Sequence, residues 1–187
     1  MDIQLAELMR EVEEISQQRG GVPRLEREAG QFLNLLVKVT RATCILEVGT
    51  QDGYATLWLT DAAAATGGLV TTVESDVWQL ANAKKLFDRS PHGNRIHVVQ
   101  GAPEEVLPVL EGPFDFILLD AEPEEALHYF HILIEKINSG ALVCCEKAIS
   151  KAGALAPYLT YVHERPGLES VLVPIGEGIE ITERFHF

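Results

Sequence analysis

Ile45-Leu46-Glu47-Val48-Gly49-Thr50-Gln51-Asp52-Gly53-Tyr54 is the stretch on which the reading of this chain turns. An apolar strand runs into an acidic residue, then two glycines four positions apart, then a helix. Glycines let backbone approach a ligand closely and leave N–H groups at a helix start. A second apolar strand, Leu69 to Val73, ends in Glu74. An acid in that place accepts hydrogen bonds from ribose hydroxyls. Together the two strand ends predict a pocket for a nucleoside-containing cofactor.

The glycine spacing selects among such cofactors. A dinucleotide fingerprint reads G-x-G-x-x-G and aims a helix dipole at a pyrophosphate. Here the pattern is E-x-G-x-x-x-G, beginning with Glu47 inside the strand end. A carboxylate there repels a diphosphate and suits the ammonium of a methionine moiety. That points to S-adenosylmethionine, and it disfavours a nicotinamide oxidoreductase. Taken alone, the first turn is also compatible with any strand-to-helix turn that contains two glycines; Glu74 tips the balance.

Composition sets bounds. With 187 residues, 47% hydrophobic, the chain is long enough for one domain with a sizeable core. No apolar run reaches the roughly 18 residues that a membrane span needs. Met1-Asp2-Ile3-Gln4-Leu5 lacks the basic start of a signal peptide. The expected location is the cytoplasm. A net charge of −13 argues against nucleic acid or an anionic membrane as partner, and against an anionic substrate unless a local basic patch exists. Three cysteines, Cys44, Cys144 and Cys145, do not make a disulfide framework. Lying in apolar runs, they read as buried free thiols, with a redox or metal role for the adjacent pair as the competing reading.

Along the chain, Ile3 to Gln18 has helical periodicity and Gly20-Gly21-Val22-Pro23 breaks it. A second helix follows from Arg24 to Thr40. Strands are then predicted near 44–48, 69–74, 95–100, 114–119, 141–146, 170–174 and 178–183. Helices are predicted near 53–65, 76–89, 103–110, 123–137 and 151–163. This describes one α/β domain over 1–187, with amino-terminal helices in 1–40 and a Rossmann-like core in 41–187. Its seven-stranded sheet is mostly parallel, has helices on both faces and closes in an antiparallel hairpin around Gly176-Glu177-Gly178. Ligands of open α/β sheets bind at the carboxyl ends of the strands. Those ends carry Glu47, Glu74, Gln100-Gly101-Ala102, Asp120 and Glu146-Lys147. In so acidic a chain, solvated loop acids are the competing reading for each. Tyr54, Trp58, Trp78 and Tyr129 are candidate pocket aromatics; Trp78 is placed to stack near adenine, Trp58 equally suits the core, and His128 and His131 share the helix after Asp120.

From Leu25 to Phe185 the chain resembles the small O-methyltransferases related to caffeoyl-CoA and catechol O-methyltransferases. Glu28 to Val37 resembles the family's helix before the first strand. Ile45 to Tyr54 resembles its first cofactor motif, and Val73-Glu74-Ser75-Asp76 its ribose-binding strand end. Phe114 to Ala121 resembles the strand ending in a metal-binding Asp, and Pro174 to Gly178 the closing hairpin. The resemblance implies S-adenosylmethionine-dependent methylation of a small catechol- or phenol-like hydroxyl. The implied cofactor residues are Glu47, Gly49, Thr50, Gly53, Tyr54, Thr56, Glu74, Ser75, Ala102 and Asp120. Glu47 would contact the methionine end, Glu74 the ribose, the Ala102 backbone adenine, and Asp120 would sit by the sulfonium.

The family also uses a divalent cation such as magnesium, chelated by two acids and an asparagine. Asp120 and Glu146 match the acids, although Glu146 stands where the family usually has Asp. Lys147 stands where the family has the ligating Asn, and Pro123 where it often has an acid–base Lys. Three readings follow. The Lys147 ammonium replaces the metal charge, with Asp120, Glu146 and Lys147 as the catalytic set. Or it neutralises two relict acids in a non-catalytic cofactor-binding protein. Or it points away, and Asp120 and Glu146 hold a metal. Only Ala148 to Ala152 separates the fifth strand from the next helix, so the acceptor site should be open or completed by a second subunit. The apolar stripe Leu5, Leu8, Val12 and Ile15 on the first helix predicts a homodimer.

Overall fold

Residues 3–18 and 25–185 are described by the computed structural model. The Gly20 to Pro23 break and the start of the second helix at Arg24 lie outside them. The strands are β1 (Cys44–Val48), β2 (Leu69–Glu74), β3 (Ile96–Gln100), β4 (Phe114–Leu119), β5 (Ile137–Glu146), β6 (Leu168–Val173) and β7 (Ile179–Arg184). They form one sheet in the order β3-β2-β1-β4-β5-β7-β6. β3, β2, β1, β4 and β5 run parallel, whereas β7 pairs antiparallel with both β5 and β6. The helices are α1 (Ile3–Gln18), α2 (Arg27–Thr40), α3 (Tyr54–Thr66), α4 (Val77–Phe87), α5 (Pro103–Val106), α6 (Ala126–Leu133) and α7 (Ala152–Glu164).

The parallel strands are near-continuous apolar runs because both of their faces are covered. Alternation along β1 sorts its side chains: Ile45 joins a core built with α1, α2 and α3, whereas Leu46 and Val48 join a core built with α6 and α7. The adjacent cysteines divide the same way, Cys144 to the first core and Cys145 to the second. All three cysteines are free thiols, and burial pushes each of them up in pKa. The α2–α3 contact is tied by Asp61, whose Oδ2 accepts from Lys38 Nζ at 2.7 Å and from Asn34 Nδ2 at 2.9 Å.

Two expectations change. The stripe on α1 is used within the chain: Leu5, Leu8, Met9 and Val12 are buried in the first core beside Tyr54 and Trp58. Only Ile15 of the predicted stripe stays substantially exposed, at 39%. The stripe therefore offers no seam to a second subunit. The helices predicted over 103–110 and 123–137 are shorter than the periodicity suggests. α5 is a single turn, and α6 is flanked by 3-10 turns at Pro123–Glu125 and Ile134–Lys136. β5 begins at Ile137, earlier than expected, where Ile137 pairs with Phe114 ahead of an irregularity in which β5 carries extra residues before Leu142 pairs with Phe116.

Candidate active site

The carboxyl ends of β1, β2, β3, β4 and β5 open into one cleft of about 790 Å³. That lies within the usual 300–1,000 Å³ of small-molecule sites. Gly49 and Gln51 line it after β1, and Glu74, Ser75 and Asp76 after β2. Ala102 and Glu104 line it beyond β3, Asp120, Glu122 and Glu125 beyond β4, and Lys147 and Lys151 beyond β5. His128 and Tyr129 of α6 complete one wall.

Glu74 is anchored by backbone at both carboxylate oxygens. It is buried, its Oε2 accepts from the Gln51 N–H at 2.8 Å, and its Oε1 accepts from the Asp76 N–H at 2.9 Å. A carboxylate has about four acceptor positions, so lone pairs remain for a ligand. Asp76 in turn caps α4, its Oδ1 accepting from the N–H groups of Trp78 and Gln79. At the end of β1, Gly49 has φ +98° and donates its N–H to Val73 O at 2.9 Å. Gln51 also adopts a left-handed backbone, and its Nε2 donates to the Asp120 carbonyl at 2.5 Å. Gln51 and Lys151 were not singled out from sequence. Gln51 is a spacer in the glycine motif, and Lys151 lies one turn beyond a strand end that the rule did identify.

Several expected cofactor residues are not in the cleft. Glu47 is fully buried and does not line it. Its β2 register partner is Thr72, and its Oε2 accepts from Thr72 Oγ1 and Thr56 Oγ1, both at 2.5 Å. Burial pushes its carboxyl up to about 8, against the lowering pull of the two hydroxyls. Thr56 is spent on that carboxyl, and Thr50 shares a 2.6 Å hydrogen bond with Thr72. Tyr54 is buried against Trp58, and its hydroxyl donates to Glu13 of α1. Gly53, at φ +83°, precedes α3 and donates its N–H to Thr50 O, shaping the turn from behind. Trp78 is 81% exposed and off the cleft; α4 buries Leu80, Ala83 and Phe87 instead. His131 stacks edge-on against Tyr161 instead of facing the cleft.

The metal set does not assemble either. Lys147 points inward, and its Nζ contacts Asp120 Oδ1 at 2.6 Å. Burial pushes the Asp120 carboxyl up to about 6, against the lowering effect of Lys147. Glu146 does not line the main cleft; it borders a water-sized cavity of about 10 Å³ with Leu119, Ala126 and Leu155. Its Oε1 is buried with no hydrogen-bond partner among the described residues, and burial pushes the carboxyl up to about 8. A cation beside Asp120 would face an ammonium and would lack the second acid. At about 4 Å and an effective dielectric near 20, each pair of like unit charges costs roughly 4 kcal/mol. Asp120, Glu146 and Lys147 therefore do not fit a divalent cation.

A family model described as O-methyltransferase matches residues 2–185. The chain belongs to the O-methyltransferase family. It is 31% identical over 166 residues to a catechol O-methyltransferase of Mycobacterium tuberculosis, covering 81% of this chain and 75% of that protein. It is 25% identical over 202 residues to a caffeoyl-CoA O-methyltransferase of Eucalyptus globulus, covering 95% of this chain and 82% of the relative. Among solved structures, an SAH-bound methyltransferase of Podospora anserina shares the fold with a TM-score of 0.86 at 19% identity, covering 100% of this chain and 89% of that one. Family membership agrees with the resemblance carried by the sequence motifs. As a member of an enzyme family, the O-methyltransferase is not favoured as a non-catalytic binding protein.

Proposed function

We propose that this O-methyltransferase uses S-adenosylmethionine to methylate the hydroxyl of a small acceptor in the cleft at the strand ends. The observation that carries this is Glu74, a buried carboxylate fixed by two backbone N–H groups at the edge of an open cleft. The residues fit the cofactor. A Cβ at Gly49 would lie 2.4 Å from the Asp120 carbonyl, so only glycine keeps the end of β1 close to the end of β4. Glu74 would hold the ribose, Ser75 and Ala102 would flank the nucleoside, and Asp120 would lie toward the reacting centre. The bound cofactor supplies a methyl group on a sulfonium, an electrophile already activated by charge. The chain must then exclude water, align the acceptor and stabilise its ionised oxygen.

Glu74→Ala should weaken binding of S-adenosylhomocysteine at least about tenfold, since hydrogen bonds to a charged group contribute about 1.5–3 kcal/mol. Calorimetry giving unchanged affinity would remove Glu74 from the site. Tighter binding of NAD than of S-adenosylhomocysteine would reject the cofactor itself.

We also propose a homodimer, through a face other than the one the sequence suggested. Leu35 and Val39, one turn apart on α2, are 57% and 69% exposed and supply an apolar patch. Light scattering at micromolar concentration that returns the mass of one chain, 20.6 kDa, would reject it. Among the described residues no helix is long and apolar enough to cross a membrane. The charge of −13 supports a cytoplasmic protein that avoids nucleic acid and anionic membranes. Retention on DNA or co-sedimentation with anionic vesicles would count against that.

A further inference from the structure

We propose that the Lys147 ammonium, anchored on Asp120, takes the place of a divalent cation, and that the acceptor is a neutral or cationic molecule needing only one ionisable hydroxyl. This rests on the methyl-transfer reading above. The backbone at Lys147 is the first observation. Its φ of +65° is left-handed, a conformation that disfavours lysine and that glycine or asparagine adopts readily. Non-glycine residues held there cluster at functional sites. The hairpin between β6 and β7 holds the turn in place: Ala148 N–H donates to Gly178 O at 2.9 Å and Ile149 N–H to Glu177 O at 2.9 Å.

The second observation is where the side chain goes. Its Nζ reaches Asp120 Oδ1 at 2.6 Å, on the wall of the cleft. An ammonium has three donors, and Asp120 is its one acceptor among the described residues. Two N–H groups remain, and either can donate to an ionised acceptor oxygen. Chelation by a dication draws on two oxygens of a vicinal diol, whereas stabilisation by an ammonium is complete with one, so a second hydroxyl is not required.

Charge gives the third. The cleft presents Glu74, Asp76, Glu104, Asp120, Glu122 and Glu125 against Lys147 and Lys151. So acidic a wall repels the phosphates of a coenzyme A thioester and favours a neutral or cationic body. In the transfer, the acceptor hydroxyl gives up its proton to water and its oxygen is held as the anion by Lys147. An oxygen lone pair forms the new O–CH₃ bond. The S–CH₃ bonding pair returns to sulfur, leaving S-adenosylhomocysteine and the methyl ether.

Tyramine and dopamine make a matched test, both cationic, one with a single phenol and one with a diol. Calorimetry with S-adenosylhomocysteine comes first, because failure there rejects the cofactor reading and not this one. For a chain that binds it, tyramine and dopamine should be methylated with kcat/KM values within about tenfold of each other, in EDTA as in magnesium. Caffeoyl-CoA should fall at least about a hundredfold below either. Lys147→Asn suits the left-handed backbone and so should fold. It should lose tyramine turnover by at least about a hundredfold, as when one oxyanion donor is removed. It should also bind Mn²⁺, read by electron paramagnetic resonance, at least about tenfold more tightly than the native chain. Activity that requires magnesium overturns the proposal. So does a dopamine preference above about a hundredfold, turnover of neither amine, or equal Mn²⁺ binding by the two proteins.

Discussion

Replacing Gly49 by alanine should destabilise this O-methyltransferase by about 3 kcal/mol, while the same change at Gly67 should cost about 1–2 kcal/mol. Both glycines have left-handed backbones, at φ +98° and +81°. They differ in what a side chain would meet. A Cβ at Gly67 meets nothing within 4 Å. A Cβ at Gly49 meets Asp120 O at 2.4 Å and Asp120 C at 2.8 Å, backbone atoms with no rotamer by which to escape. The left-handed term is common to the two, about 1–2 kcal/mol. The clash adds about 1–3 kcal/mol at Gly49 alone. For a chain of this size the midpoint should fall by about 6–12 °C in the first variant. Equal losses in the two variants, measured by thermal or urea unfolding, would show that the ends of β1 and β4 can part without strain.

Between about pH 8 and pH 6 the folded chain should become more stable as the medium is acidified, by up to about 1.4 kcal/mol per pH unit for each buried acid involved. Glu47 is the main contributor, with a carboxyl pushed by burial up to about 8. In the unfolded chain a glutamate titrates near 4.3. The folded state therefore holds a proton that the unfolded state has lost. Stability from this group is fully present below the unfolded value and is lost as pH rises toward 8. Glu146, also pushed up to about 8, acts in the same sense. Acids held below their ordinary values, such as Asp61 and Asp115, work in the opposite direction but in a more acidic window. Urea midpoints from pH 6 to 8.5 should fall for the native chain, and the slope should shrink in Glu47→Gln. A flat or rising native profile would mean that Glu47 is ionised in its buried site.

The sheet and the cleft were legible because each parallel strand announces its carboxyl end with a polar residue. Glu74, Ala102, Asp120 and Lys147 were found in this way and Gly49 through the glycine spacing, and all line the cleft. Glu47 was expected at the cleft because it stands at a strand end, whereas its side chain follows the two-residue alternation inward. Ile45 joins the core beneath α3, and the side chain two residues on shares its face and meets Thr56 from that helix. Thr50 and Tyr54 went the same way, inward. Nothing in the spacing of Leu5, Leu8 and Val12 told whether their cover would be α3 or another chain. The direction of Lys147 was equally beyond reach, since it depends on a hydrogen-bonded turn contributed by Glu177 and Gly178, thirty residues on.

That grip has a bearing on biosynthesis. A ribosome completes Gly49, Glu74, Ala102 and Asp120 well before it reaches Gly178. β7 is made after β6 yet lies between β6 and β5, so β6 has no place in the sheet until β7 emerges. During translation the crevice for the methyl donor can close first, around strands already in order. The Lys147 ammonium is aimed at Asp120 only when the hairpin arrives, so a nascent chain gains the walls of the cleft before it gains the ion pair set into them.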